Sequence, residues 1–320
     1  MRHGVVVLPE QRWAIARRTW EEAEELGFDH AWTYDHLIWR WFRDRPWYAT
    51  MPTLTAAATV TSRVMLGVMV ANPSIRHPVS FAKELVTLDD ISDGRMMCAV
   101  GAGAGGFDDD ALGLQPLTPA ARGRRFAEFV ELTDRLLREA QVSHSGRYYE
   151  VRDAHTHPRC VQQPRLPLAV AATGPKGIAL AAKTADIWVT AAWPGHGEPV
   201  RFDQAVPVVA EQSAELDRAC AAIGRDPATV RRLVVTGALI GGVLDSVSSY
   251  QDATAMFEEI GITDLVVHWP RDDFPYAGRR SVLEEAAAEL LSRAHPAPVA
   301  GRAVVGPDRD HERNAHAVSS

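Results

Sequence analysis

Three stretches of this 320-residue chain carry residue types that can do chemistry. The first is Asp35-His36, directly after an apolar run over residues 28–34. Imidazole exchanges protons near neutral pH, and the neighbouring carboxylate is placed to orient it. The plain alternative is a histidine that ends a strand. The second is Thr173-Gly174-Pro175-Lys176-Gly177-Ile178, between an apolar run at 168–172 and a helical pattern at 175–184. Free N–H groups at a helix start, with the helix dipole behind them, bind phosphate, and Thr173 and Lys176 add a hydroxyl and a cation. The plain alternative is a tight turn with proline at the first helical position. The third is the glycine-rich loop from Gly101 to Gly106, where missing side chains let a backbone approach a planar ring; its alternative is a flexible loop. Trp39, Trp41 and Trp193 are expected to wall an apolar substrate pocket beside these stretches. No GxSxG or HExxH occurs. His155-x-His157 with Cys160 lacks a fourth ligand at useful spacing, so no metal site is expected.

The elements that must position these residues follow from the apolar pattern. Residues 64–70 and 95–100 are near-continuous apolar runs separated by an amphipathic helix at 79–92, as in a parallel βαβ unit with both sheet faces covered. Both runs end in residues that permit close approach, Asn72-Pro73 and Gly101 to Gly106. The same alternation appears before and after: strands at 3–8, 28–34, 168–172, 185–191, 230–240 and 265–269, and helices at 12–26, 52–62, 120–139, 175–184, 206–223, 253–260 and 281–293. About eight strands alternate with about eight helices, which is an α/β chain folded as a (β/α)8 TIM barrel over residues 1–294. A hairpin-like, proline-rich insertion at about 141–167 interrupts it between helix 4 and strand 5. Residues 295–320 have no sustained apolar period and are expected to be a mobile tail. An open doubly wound sheet is the alternative, weakened by the absence of GxGxxG after the first strand.

Bulk properties exclude several function classes. A net charge of −7 gives no basic surface for nucleic acid. No apolar run approaches the ~20 residues that span a bilayer, and the first residues are too short in apolar content for a signal peptide. Three widely spaced cysteines without a CxxC pair suit a reducing, cytoplasmic setting. The expected partner is a small molecule, with no nucleic acid and no membrane.

TSRVMLGVMVANPSIRHP, LVTLDDISDGR, VGAGAGG and ATGPKGIALAAKTADIWVT together resemble the bacterial-luciferase-like superfamily, from about residue 5 to residue 269. The resemblance implies a (β/α)8 enzyme with FMN or the deazaflavin coenzyme F420 at the carboxyl rim, often as a homodimer. It places Asp35-His36 where deazaflavin-dependent members have an Asp-His whose imidazole gives or takes a proton beside the ring. Met69-Val70 falls where many members have a non-proline cis peptide that bulges behind the ring, with Asn72 near the ring edge. Gly101, Ala102 and Gly103 match the loop lining the ring, and Thr173 to Ile178 match the phosphate site. Some sugar-phosphate-oxidising members carry a glutamate directly after Gly-x-Gly, where this chain has Ala104. The GPK form of the phosphate loop, with Asp-His after strand two, favours F420 over FMN. The implied reaction is hydride transfer between the deazaflavin C5 and a substrate carbon, such as an activated C=C or C=N in a biosynthetic intermediate or natural product. The alternatives are an FMN-dependent monooxygenase working with a flavin reductase and a non-catalytic cofactor-binding homologue.

Overall fold

A computed structural model describes residues 1–103, 105–192 and 199–294. The expectations for Ala104, Trp193 and the 295–320 tail lie outside these residues. Eight strands are parallel and close on themselves: β1 (Arg2–Val6), β2 (His30–Thr33), β3 (Met65–Ala71), β4 (Met96–Val100), β5 (Leu168–Ala171), β6 (Ile187–Thr190), β7 (Arg231–Val235) and β8 (Asp264–His268). The barrel helices are α1 (Trp13–Glu25), α2 (Thr50–Ala58), α3 (Pro78–Ile91), α4 (Pro119–Arg138), α5 (Pro175–Thr184), α6 (Phe202–Ala222), α7 (Val247–Glu259) and α8 (Arg280–Ala294). The expected TIM barrel is the observed fold.

Side chains alternate along each strand and so divide the core into two layers. Val6, Trp32, Met97, Ala169, Ile187, Leu233 and Val266 fill the barrel interior. Their neighbours Val5, Ala31, Cys98, Leu168, Trp188, Val234 and Leu265 pack outward on the helices. This two-sided burial is why the strands read as continuous apolar runs.

The insertion contains an antiparallel hairpin, Gln141–Ser145 with Glu150–His155. Glu128 on α4 ties it down by accepting the N–H groups of Tyr148 and Tyr149.

Several boundaries differ from the sequence expectation, three of them for a visible local reason. The run expected at 230–240 is two elements: β7 stops at Val235, Gly237 turns the chain at φ +131°, and Ile240–Gly241 pairs instead with Val200–Arg201. Helix α6 starts at Phe202, so Pro207 is internal rather than initial; Gln204 Oε1 accepts the Arg201 N–H at 3.3 Å. Helix α7 starts at Val247 because Ser246 Oγ accepts the Ser249 N–H at 3.0 Å, a cap that apolar periodicity alone does not register.

Candidate active site

The candidate residues come together at the carboxyl rim, where β2, β3, β4 and β5 end. Strand β3 and its continuation contain the one expected backbone irregularity: the Met69-Val70 peptide is cis, and the β3–β4 register shifts between Val68 and Ala71. Two glycines fit against this segment. A Cβ on Gly101 would stand 2.5 Å from Val70 Cγ2, and one on Gly103 (φ +70°) would stand 2.4 Å from Asn72 Oδ1. Asn72 is itself buried and fixed, with its Oδ1 accepting the Ser74 N–H at 2.9 Å. Met69, Val70, Asn72 and Gly101 to Gly103 therefore form one wall, with backbone rather than side chains at its surface along the glycine loop.

Strand alternation decides what becomes of the Asp-His pair. Trp32 and Tyr34 belong to the inner cluster, so Asp35, between Tyr34 and His36, is turned away from it. Its carboxylate is buried and held bidentately by Arg76, with Nε–Oδ2 3.0 Å and Nη2–Oδ1 2.7 Å, and Arg76 also reaches Glu84 at 3.0 Å. The expectation that Asp35 orients His36 is thus corrected: residues adjacent on an extended chain face opposite sides.

Asp108 holds His36 instead. It lies on a short helix, Phe107–Ala111, just beyond the glycine loop. The His36 Nδ1–H donates to Asp108 Oδ2 at 2.7 Å, while Asp108 Oδ1 accepts the Leu37 and Ile38 N–H groups at 2.8 and 3.0 Å. Burial opposes charge on Asp108, but these hydrogen bonds together hold its carboxyl below the usual range. With Nδ1 carrying the proton, Nε2 of neutral His36 keeps a lone pair. The His36 side chain is 35% exposed and Asp108 only 6%, so a fixed carboxylate supports an accessible base. Asp109, next to it, has a buried carboxylate oxygen without a hydrogen-bond partner among the described residues.

After β5, the strand next to β4, α5 begins with Pro175 at its first position and Gly174 as its cap, and no side chain caps its N–H groups. Gly174, Pro175 and Lys176 are exposed, Thr173 and Gly177 half-buried and Ile178 buried, which leaves the helix start open and its first turn anchored. This is the geometry an anion needs.

The tryptophans divide. Trp39 is 7% exposed and belongs to the inner core, stacked on Phe42 (centroids 5.3 Å), Trp47 (5.3 Å) and Tyr276 (5.9 Å). It backs a wall rather than lining a pocket, a correction caused by aromatic neighbours from the same loop and from the loop after β8. Trp41 is 37% exposed and packs edge-to-face on Phe274, so it does stand at the surface. Packed against Trp39 lies a polar group with no local sequence signal: Tyr34, His268 and Tyr276, joined across more than two hundred residues. Two concavities, of about 400 and 330 Å³, lie beside β1 and are not lined by His36, Gly101 or Thr173.

Among the described residues, no group of three or more His, Cys, Asp or Glu is disposed to hold a metal, and no helix is long and apolar enough to cross a membrane.

The chain belongs to the luciferase-like monooxygenase family, whose pattern matches residues 1–319. It is 31% identical to an F420-dependent glucose-6-phosphate dehydrogenase of Beutenbergia cavernae, over 85% of this chain and 90% of that one. It is 27% identical to the 5,10-methylenetetrahydromethanopterin reductase of Methanopyrus kandleri, over 96% of this chain and 94% of that one. Among solved structures, an F420-dependent secondary alcohol dehydrogenase superposes with a TM-score of 0.74 at 18% identity, covering 90% of this chain and 97% of the other.

Proposed function

We propose that this protein is a coenzyme F420-dependent oxidoreductase in which His36 handles the proton that accompanies hydride transfer. The observation that carries the proposal is the His36–Asp108 pair beside the Met69-Val70 bulge: a half-exposed imidazole in a fixed tautomer, next to a backbone-lined wall. The likeness to an F420-dependent glucose-6-phosphate dehydrogenase supports the choice of cofactor.

The residues present fit such a group. The close packing of Gly101 on Val70 and Gly103 on Asn72 leaves a side-chain-free surface for a planar ring. The uncapped start of α5, with Thr173, Gly174 and Lys176, fits a phosphate. A deazaflavin, when bound, supplies a hydride donor or acceptor at its C5 and activates oxygen poorly. The chain supplies the rest. The wall and the helix start orient, at close range, the two partners of the transfer. His36 Nε2 accepts a proton from a substrate being oxidised, or the imidazolium returns one to a substrate being reduced. Asp108 stabilises that imidazolium and keeps the ring from turning.

We further propose a substrate less polar than a sugar phosphate, such as a compound with an activated C=C or C=N. Exposed Trp41 and the alanine at position 104 support this reading. Turnover of glucose 6-phosphate, with none of enoyl or imine compounds, would contradict it.

His36→Ala tests the function itself. Cofactor binding should survive while hydride transfer falls by about 10²–10⁴, the usual contribution of a positioned acid or base. Unchanged turnover would remove His36 from the mechanism.

A further inference from the structure

Tyr34, His268 and Tyr276 form a hydrogen-bonded chain whose direction can be worked out by counting donors. His268 Nδ1 lies 2.8 Å from the carbonyl oxygen of Thr236, which can only accept, so Nδ1 carries a proton. Burial pushes the imidazole down to about 3, so His268 is neutral and Nε2 has a lone pair. The Tyr34 hydroxyl, 2.7 Å away, must donate to that lone pair. The Tyr34 oxygen then accepts from the Tyr276 hydroxyl at 2.8 Å. Both phenolic protons are committed inward, and the chain cannot reverse while the Thr236 carbonyl anchors it. Among the described residues, Tyr34 is the hydrogen-bond partner of Tyr276 Oη, and the nearby Arg40 guanidinium favours negative charge on that oxygen.

We infer that Tyr276, held by Tyr34 and His268, is a specificity-determining acceptor that recognises a small molecule by an O–H or N–H group. The chain lies at the rim, in the inner aromatic cluster, and its middle ring is 6.3 Å from the ring of His36. Tyr276 is half-buried, with His268 stacked on its ring at 3.6 Å and Trp39 at 5.9 Å, so its orientation is fixed. Three apolar rings would close this part of the barrel without burying two hydroxyls and an imidazole, each of which costs free energy unless bonded. The arrangement gives a consequence that plain packing does not. This wall accepts a hydrogen bond and supplies no proton, which leaves proton transfer to His36. The inference rests on the proposed function only in taking the carboxyl rim as the substrate side.

Phenol and anisole form a matched pair of probes, aromatic and nearly alike in shape, of which only phenol donates. Ligand-observed NMR titration of the full chain should give phenol an advantage of about tenfold, the size of one net hydrogen bond. In Tyr276→Phe the advantage should vanish while circular dichroism stays unchanged. Tyr34→Phe breaks the chain one link deeper and frees the Tyr276 proton. There the phenol advantage should shrink because anisole, an acceptor, gains affinity, and this variant decides the matter if Tyr276→Phe does not fold. A purely structural network would lower the melting temperature of both variants and leave the ratio as it is. Equal binding in the wild type, a ratio that survives Tyr276→Phe, or no saturable binding of either probe overturns the inference. A separate titration of the wild type with F420 reads the functional proposal, so the two can fail independently.

Discussion

Asp108→Asn is the most informative single change at this site. The carboxylate accepts three hydrogen bonds, two from the Leu37 and Ile38 N–H groups on Oδ1 and one from His36 on Oδ2. An asparagine can keep its carbonyl oxygen on the two backbone groups, which forces its amide nitrogen to face His36 Nδ1. The amide can then only donate, so the imidazole proton moves to Nε2 and the base is lost from the open side of the ring. The variant also gives up a charge-assisted hydrogen bond to the imidazolium formed in the reaction. Such a bond is worth about 1.5–3 kcal/mol, or roughly ten- to 150-fold in rate. Turnover followed by deazaflavin absorbance should fall by that factor, with cofactor affinity unchanged. Nitrogen chemical shifts of His36 should report Nδ1–H in the wild type and Nε2–H in the variant. Asp35→Asn serves as the contrast, since Asp35 is engaged by Arg76 and should leave the tautomer alone. If Asp35→Asn moves the tautomer and Asp108→Asn does not, the reasoning fails.

Arg76→Ala would leave the buried Asp35 carboxylate without its partner and should cost about 3–5 kcal/mol in denaturant unfolding; a loss below about 1 kcal/mol would show that the pair is not needed. Gly101→Ala would drive a methyl group against Val70 and should cost about 1–3 kcal/mol while weakening F420 binding; an unchanged melting temperature would contradict the close packing. His268 and His3 are neutral in the fold, with burial pushing them down to about 3 and about 4 from 6.5. The unfolded chain therefore binds more protons below pH 6.5, and stability should fall as pH drops, by up to about 1.4 kcal/mol per pH unit for each histidine. Denaturant midpoints measured between about pH 7 and pH 5 check this, and a flat profile would refute it.

Much of the barrel was legible because its strands are buried on both faces and its helices on one, which leaves two different periods in the sequence. The 175–184 helix is the clearest case, with glycine, proline and a lysine marking its start. The glycine loop was legible from its own residues, whereas the cis peptide was legible only through the family resemblance. What was illegible is contact at long range. Asp108 meets His36 across seventy-two residues, and nothing local distinguishes it from Asp109 or Asp110. Sequence adjacency favoured Asp35, and strand geometry overruled it. The Tyr34–His268–Tyr276 chain joins the ends of β2 and β8, neighbours of β1 that only barrel closure brings together. Trp39 could not be sorted from Trp41 because burial depended on Tyr276, in a loop more than two hundred residues away.

The central claim is the cofactor, and absorbance titration of the purified protein with F420 and with FMN tests it most directly. Saturable binding of F420, with reduced affinity in Lys176→Ala and little affinity for FMN, is the predicted result. Tight binding of FMN with consumption of oxygen, and indifference to F420, would contradict it.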